Sequence, residues 1–284
     1  MRSRSVRALT AAVAVAVAVA VAAVLLAGCD RPAATVGPGG GVPGREAAQE
    51  ARSAKGPTPT AQPYRRWGLT APLPAPPSPP ARRHLPAGDG PLPVVDRVPT
   101  RDKVVFLTYD DGAEKDPRFV DLVRELRLPV SMFLTDSVVG PGYGHFARLR
   151  SVGASMQNHT LDHAALRGLP YAGQRAEICG QQNKLRARFG IRPHLFRPPY
   201  GTYDTVTLRA AADCGVRAVV LWRAAMEGDG ELTYAQGPRR LRPGDIVSVP
   251  SGEPTGMTLR DRTTRLLREI QRRGLTVGRL EDYV

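Results

Sequence analysis

Short apolar segments alternate with longer amphipathic segments from residue 103 to the end of the chain. The apolar segments have the length of buried strands, and the longer segments repeat apolar side chains every three to four residues, as helices with one buried face do. The pattern predicts strands over 103–109, 130–135, 154–158, 194–197, 216–222, 245–249 and 275–279, and helices over 117–127, 145–152, 171–189, 204–214 and 257–273.

Strands that alternate with helices form a mainly parallel sheet. Seven such strands within residues 101–284 predict an α/β fold built as a small, incomplete barrel. In barrels of this kind, ligands bind where the carboxyl ends of the strands lead into loops. Polar residues directly after the strands are therefore the first candidates for function.

The N-terminal segment has the pattern of an export sequence. Three arginines precede an uncharged run of Ala and Val over 8–27, which ends in Leu26-Ala27-Gly28-Cys29. This ending resembles the lipobox of bacterial lipoproteins, so residues 1–28 are predicted to be a signal peptide, with Cys29 carrying a lipid. The alternative is an uncleaved transmembrane anchor, since the run is long enough to span a bilayer. Both interpretations place the rest of the chain outside the cytoplasm, either anchored to the outer face of the membrane or secreted.

Proline is concentrated in the next segment. Residues 31–100 hold 16 of the 27 prolines and show no hydrophobic period. Such a composition buries little apolar surface and stays extended. Residues 29–100 are therefore predicted to be a lipidated N-terminus and linker, and residues 101–284 to be the folded domain.

The charge pattern does not indicate a nucleic-acid partner. The chain has 40 Lys and Arg against 26 Asp and Glu, a formal charge of +14, but the basic residues form no polybasic block. The hydrophobic content of 42% excludes disorder of the whole chain. We expect a monomer that binds no nucleic acid and contacts a membrane through the lipid at its N-terminus.

Two cysteines remain once Cys29 is assigned to the lipid. Cys179 and Cys214 lie on consecutive predicted helices, and an exported domain lies in an oxidising compartment. The sequence predicts a disulfide between them, with two buried free thiols as the alternative.

Three strand ends carry groups that are able to do chemistry. Asp110 and Asp111 follow the first strand, and adjacent carboxylates repel each other unless a cation or an arginine lies near them. His159 and His163 follow the third strand, and on a helical turn this spacing points both rings at one metal ion. With one aspartate they make a ligand set that leaves coordination positions open. Arg197 follows the fourth strand.

Each of these segments also has an ordinary structural interpretation. Asp-Gly is common in turns, the histidines are compatible with the core or the surface, and Arg197-Pro198-Pro199-Tyr200-Gly201 is compatible with a proline-rich loop.

Together, three motifs resemble those of a known family. Thr108-Tyr109-Asp110-Asp111-Gly112, His159-x-x-x-His163 and Arg197-Pro198-Pro199-Tyr200-Gly201 resemble, in order and separation, the first three motifs of the polysaccharide deacetylases, the NodB homology domain of carbohydrate esterase family four. The resemblance spans about residues 101–284. It implies a distorted (β/α)7 barrel and a metal-dependent hydrolase that removes acetyl groups from an N-acetylated glycan, with cell-wall peptidoglycan or an N-acetylglucosamine polymer as the expected substrate.

The resemblance also implies roles for individual residues. Asp110 is expected to be the general base, with Arg197 orienting it and the Tyr200 backbone N–H stabilising an oxyanion. A divalent metal, zinc first with cobalt, nickel or manganese as alternatives, is expected on three ligands: Asp111, His159 and His163.

Two later motifs of the family are not intact. The expected general-acid histidine of a Leu-x-His motif corresponds to Pro250, and the aspartate expected shortly after Trp222 corresponds to Ala225. Loss of general-acid catalysis costs about 10²–10⁴-fold in rate. Asp110 is one substitute proton donor, and His145, after the second strand, is another.

The leading hypothesis is therefore a lipid-anchored, metal-dependent deacetylase. A second hypothesis is a member of the same fold that binds cell-wall glycan with weak or no catalysis. A third, from another class, is an iron oxygenase with the same ligand set.

Overall fold

The computed structural model describes residues 62–81, 92–251 and 256–284. The predicted signal peptide and Cys29 lie outside these ranges. Within them, no helix has both the length and the apolar composition that a membrane span requires.

Ten strands in the described part of the chain form a mainly parallel, curled sheet. Along the sheet the strands follow the order β1-β6-β5-β4-β3-β2-β9-β7-β8, while β10 pairs with the start of β2. Strand β8 runs antiparallel to β7, and the other strand pairs are parallel within the described ranges. The strands are β1 (Val94–Val95), β2 (Val104–Asp111), β3 (Val130–Leu134), β4 (Ser155–Asn158), β5 (Leu195–Phe196), β6 (Ala218–Val220), β7 (Ala224–Met226), β8 (Leu232–Tyr234), β9 (Ile246–Val249) and β10 (Thr276–Val277).

Helices connect the parallel strands and cover the outside of the sheet. They are α1 (Pro63–Arg66), α2 (Pro117–Leu126), α3 (Asp136–Val139), α4 (Tyr143–Ser151), α5 (Tyr171–Phe189), α6 (Thr205–Asp213) and α7 (Leu259–Arg272). The caps follow from the sequence: Asp116 and Thr258 accept hydrogen bonds from the first turns of α2 and α7, and Gly190 ends α5 in the left-handed conformation.

The core forms around β2, which lies between β3 and β9. The first six residues of β2 are buried, because the strand has side chains packed on both faces. Tyr109 packs against Phe119 of α2, with ring centroids 5.1 Å apart, and its hydroxyl hydrogen-bonds to Thr263 of α7 at 3.0 Å. This packing fixes the carboxyl end of β2, where Asp110 and Asp111 lie.

The α/β class and the incomplete barrel are confirmed. Each predicted strand and helix has a counterpart, and the structure adds β1, β7, β8, α1 and α3. The added strands have two or three residues, too few for a period-two pattern to show in the sequence.

The packed region begins before the predicted domain boundary at residue 101. Trp67 and Leu69 belong to the hydrophobic core, and the Trp67 indole N–H donates to Glu125 of α2 at 2.8 Å. Gln271 of α7 donates to the Ala71 carbonyl at 2.7 Å, and β1 pairs with β6. A proline-rich segment thus packs here because a few apolar anchors hold it, so the prediction of an unpacked linker does not apply to these residues.

Candidate active site

Asp110 and Asp111 end β2 and come close to residues that follow β4 and β5. The registers of these parallel strands bring their carboxyl ends to one edge of the sheet: Leu134 of β3 pairs with Asp111 and Asn158, and Asn158 pairs with Phe196. The sequence separates these residues by up to 87 positions, yet the sheet gathers them at one place.

Three potential metal ligands converge at this edge. Oδ1 of Asp111 lies 3.3 Å from Nε2 of His159 and 3.1 Å from Nε2 of His163, and the three ligand atoms all lie within 4.8 Å of one another. These are the three residues that the sequence analysis grouped.

The donor set fits a divalent cation. Nδ1 of His159 donates to the Arg197 carbonyl at 2.7 Å, so this ring nitrogen carries the proton and Nε2 faces Asp111. Metal-binding histidines commonly make such a bond to a carbonyl, because it fixes the tautomer and the ring orientation. Oδ1 of Asp111 is buried and has no hydrogen-bond partner in the described part of the chain. A buried carboxylate oxygen that faces two imidazoles is matched by a positive ion.

The electrostatics of the site favour positive charge. Burial opposes ionisation of Asp111, but the neighbouring His159 and His163 outweigh it and hold the pKa of Asp111 well below its usual range. The Asp111 carboxylate in turn raises the pKa of His163, against the effect of burial. Both shifts show that the carboxylate attracts a cation at the point where the two rings meet.

The histidine segment is a loop, not the helical turn that the four-residue spacing predicts. Thr160 and His163 have left-handed φ angles of 74° and 58°. Side chains shape the loop: the Thr160 N–H donates to Asn158 at 2.9 Å, and the His163 N–H donates to the Thr160 hydroxyl at 3.1 Å. The two rings converge because this loop folds back on itself.

Helix α5 supports the histidine loop. The Glu177 carbonyl accepts from the Leu161 N–H at 3.2 Å, and the Ile178 carbonyl accepts from the Asn158 side chain at 2.9 Å. Cys179, the next residue of α5, is joined to Cys214 with an S–S distance of 2.03 Å. The structure therefore pairs the two cysteines that the sequence analysis paired, and the bridge lies one residue from the loop support.

Asp110 has hydrogen bonds to both carboxylate oxygens. Arg197 donates to Oδ1 at 2.6 Å, and the Ser248 hydroxyl donates to Oδ2 at 2.7 Å. Arg197 is fully buried, also donates to the carbonyls of Val220 and Leu221, and lies over the Phe133 ring at 4.4 Å. The arginine thus holds Asp110 in one orientation.

Tyr200 lies at the open side of the site. It occupies a 3-10 turn over Pro199–Gly201, its side chain is 65% exposed, and its ring packs edge-on against His163 with centroids 4.8 Å apart. This ring contact places Tyr200 beside His163, one of the three potential metal ligands.

Strained backbone is concentrated at the site. Five described residues other than glycine have left-handed φ angles, and four of them, Asp111, Thr160, His163 and Tyr200, belong to the site, while Arg127 ends α2. Such conformations cost about 1–3 kcal/mol each and persist where the surroundings enforce them, as they do at functional sites.

Pro250 directly follows β9 and contacts a buried arginine. Val249 pairs with Tyr109, so Pro250 comes next to Asp110, and Ala225 of β7 pairs with Ser248. The Pro250 carbonyl accepts from Arg262 at 2.6 Å, and Arg262 is a fully buried residue paired with Glu114 at 2.5 Å. Ser248, Arg262 and Glu114 are not among the predicted site residues. The serine stands out as a polar residue in the apolar run of β9, but nothing in the sequence connects it to Asp110.

The other described histidines do not join the site. His145 lies inside α4, is 4% exposed, and neither of its ring nitrogens has a hydrogen-bond partner among the described residues. The hypothesis that His145 replaces the missing acid is therefore wrong, because the ring is packed within the fold. His194 precedes β5 at the opposite end of the sheet, as predicted.

Comparisons with known proteins agree with this geometry. A family model described as polysaccharide deacetylase matches residues 97–219. An uncharacterised protein of Streptomyces coelicolor is 68% identical over 192 residues, covering 68% of this chain and 77% of that protein. A chitooligosaccharide deacetylase of Bradyrhizobium sp. is 28% identical over 192 residues, covering 61% of this chain and 87% of that protein.

Solved structures share the fold. A CE4 family pseudoenzyme from Bacillus anthracis superimposes with a TM-score of 0.58 at 17% identity, covering 69% of this chain and 70% of that chain. A mutant of the same protein, described as having restored enzymatic activity, gives a TM-score of 0.56 at 20% identity, covering 69% of this chain and 72% of that chain.

Proposed function

The chain belongs to the polysaccharide deacetylase family, and we propose that its site removes N-acetyl groups from a cell-wall or extracellular polysaccharide with the help of a divalent metal ion. The observation that supports this most is the convergence of Asp111, His159 and His163 beside the Arg197-bound carboxylate of Asp110. The Bradyrhizobium relative is named for acting on chitooligosaccharides, which supports an N-acetylglucosamine polymer or peptidoglycan as the substrate class.

Asp111, His159 and His163 would hold the metal, zinc in the first place. A bound divalent ion of this kind supplies Lewis acidity, which polarises an amide carbonyl and makes a water more acidic. Asp110 acts as the general base and takes a proton from the attacking water. Arg197 keeps that carboxylate oriented, and the Tyr200 backbone N–H stabilises the negative charge that develops on the carbonyl oxygen.

Departure of the amine requires a proton on its nitrogen. Pro250, next to Asp110, has no proton to donate. Asp110 is the group at this edge that returns the proton it has taken, so one carboxylate serves both steps. A slow enzyme follows, because a single group is not matched to both roles.

A second candidate function is glycan binding with little or no turnover. Two observations favour it: Pro250 at the strand end, and the Ser248 hydroxyl on the second oxygen of the proposed base. A family neighbour of the same fold is described as a pseudoenzyme, and a mutant of that protein as having restored activity.

We also propose that the protein works outside the cytoplasm as a monomeric lipoprotein, with Cys29 carrying the lipid. The apolar run that ends at Cys29 supports this. Labelling of cells with a fatty-acid probe tests it, since Cys29→Ala should remove the label if the cysteine is modified.

The deciding experiment for the activity is release of acetate from an N-acetylglucosamine oligomer by the purified protein, with its metal content determined and Asp110→Asn measured beside it. Acetate released above the Asp110→Asn level, and lost on metal removal, supports the enzyme. One metal per chain with no acetate above that level supports the glycan-binding function instead.

A further inference from the structure

A cavity of about 660 Å³ lies at the end of the sheet opposite the candidate active site. Ser155 and Leu195, the first residues of β4 and β5, form part of its wall. His159 and Arg197 follow the carboxyl ends of the same two strands. The cavity is thus separated from the metal ligands by the length of the strands, and nothing in the proposed reaction uses it.

The cavity is strongly positive. Arg150, Arg188, Arg192 and Arg279 line it. None of these four has a carboxylate oxygen within 4.0 Å in the described ranges, whereas arginines elsewhere on the surface, such as Arg265, form ion pairs. Guanidinium groups that gather without counter-charges raise the local concentration of anions.

The carboxylate of Glu281, which also lines the cavity, does not neutralise these arginines. Its Oε1 accepts from the hydroxyl of Ser131 at 2.8 Å and the amide of Gln157 at 2.9 Å, and it also accepts from the Ser155 hydroxyl. The Glu281 carboxylate therefore binds polar groups at the amino ends of β3 and β4. Arg279 donates one N–H to the Gly153 carbonyl at 3.0 Å, and Arg188 lies over the Tyr143 ring at 4.8 Å. The Arg150 and Arg192 side chains make no hydrogen bond or ion pair with the described residues, so their N–H groups are available to a ligand.

The other residues that line the cavity indicate which kind of molecule would carry the anionic group. Part of the cavity wall is apolar and consists of Phe189, Ile191 and Pro193. A sugar ring has this combination of an apolar face and a hydroxyl-bearing edge, and the volume lies within the ~300–1,000 Å³ of small-ligand sites. Guanidinium groups bind carboxylates and phosphates through paired hydrogen bonds.

We propose that this cavity binds an anionic saccharide unit, with the carboxylate or phosphate of the sugar held by Arg150 and Arg192. This site is independent of hydrolysis at the other end of the sheet. It would hold the protein on an acidic polymer while the carboxyl-end site acts on an N-acetylated glycan.

The test is calorimetric titration of the full chain with a short oligoglucuronate, a short phosphorylated oligomannose and a neutral N-acetylglucosamine oligomer. The first two distinguish a carboxylate from a phosphate ligand. We expect Arg150→Ala combined with Arg192→Ala to weaken binding of the preferred anionic oligomer by about tenfold or more. Arg175→Ala combined with Arg186→Ala removes the same charge from exposed arginines outside the cavity and should leave binding unchanged.

Asp111→Ala separates this proposal from the proposed function, because it should abolish the metal site and keep the anionic oligomer bound. Equal binding by wild type and the Arg150/Arg192 variant, or equal losses in both double variants, would overturn the proposal. Absence of binding by either anionic oligomer would overturn it as well. Thermal unfolding of each variant shows whether a loss of binding reflects a loss of fold.

Discussion

The Ser248 hydroxyl donates a hydrogen bond to Oδ2 of Asp110, with 2.7 Å between the two oxygens. Arg197 already donates to Oδ1 of the same carboxylate at 2.6 Å. A general base must present a free oxygen to the water from which it takes a proton. Ser248 therefore occupies one acceptor position of the second oxygen, where it competes with the attacking water.

We predict that Ser248→Ala increases acetate release. Removal of the hydroxyl frees Oδ2 of Asp110, and loss of one competing hydrogen bond of about 1 kcal/mol corresponds to roughly a fivefold gain in rate. The measurement is the steady-state rate on an N-acetylglucosamine oligomer. Ser248→Thr keeps the hydroxyl and serves as the matched control, with no gain expected. A rate that falls in Ser248→Ala would show that the serine positions the base and does not block it.

We predict a larger gain from Pro250→His. Pro250 follows the strand that pairs with β2 and lies next to Asp110, so a histidine there introduces a proton donor at the edge where the amine departs. General-acid catalysis typically contributes about 10²–10⁴-fold. The comparison is acetate release by Pro250→His against Pro250→Ala, which removes the proline but adds no acid.

A gain limited to the histidine variant supports an otherwise intact active site. Equal rates in both variants would show that the contact between Arg262 and the Pro250 carbonyl has remodelled this strand end beyond rescue by one residue.

The sequence identifies most of the candidate site, because its members stand directly after apolar strands. Asp110, Asp111, His159 and Arg197 are polar residues at the ends of such runs, and the parallel sheet then brings them together. The tautomer-fixing contact from His159 to the Arg197 carbonyl, in contrast, spans 38 positions and depends on the register of β4 and β5.

Ser248 and β1 show what the sequence does not reveal. Ser248 is a polar residue within a buried strand, and its partner Asp110 lies 138 positions away, so no local pattern links them. Strand β1 has two residues inside a proline-rich segment and forms only because β6 offers a free edge. The periodicity of the sequence does not predict contacts that depend on tertiary pairing.

We predict that the metal site depends on all three converging side chains. His163→Ala or Asp111→Asn should reduce affinity for a divalent ion by about 100-fold or more, because each removes one of three ligands and the remaining two do not enclose the ion. Cobalt titration followed by its visible absorption measures this directly. His194→Ala, at the opposite end of the sheet, is the control and should bind as wild type does. Unchanged cobalt binding in the ligand variants would exclude this cluster as the metal site.

We predict that the disulfide stabilises the fold and also the histidine loop. Cys179 and Cys214 are 35 positions apart, and closing a loop of that length contributes about 4 kcal/mol in the chain-entropy model. Since Glu177 and Ile178 hold the histidine loop through their carbonyls, loosening α5 should also weaken metal binding.

Denaturant unfolding and cobalt titration of Cys179→Ser combined with Cys214→Ser measure the two effects. Reduction of the wild-type protein should reproduce both, and reduction of the double variant should change neither. Full metal affinity in a destabilised double variant would show that the loop is held without the bridge.

We predict that His145 makes the fold sensitive to acid. Burial lowers the pKa of His145, and the positive charges of Arg148 and Lys115 lower it further against the opposing effect of Asp116. A histidine whose pKa is depressed on folding is neutral in both states above its unfolded pKa of about 6.5 and then has no protonation effect on stability. As the pH falls from there toward the folded pKa, the unfolded state takes up the proton first and the native state loses stability. The free energy of unfolding should therefore fall less between about pH 7 and pH 5 in His145→Leu than in the wild type. At neutral pH the variant should also unfold with about 1 kcal/mol more free energy, since it removes a buried polar group that has no hydrogen-bond partner among the described residues. The difference in unfolding free energy between wild type and His145→Leu across this range isolates the residue, because the other titrating groups are shared. A constant difference would show that His145 is solvated in the native state.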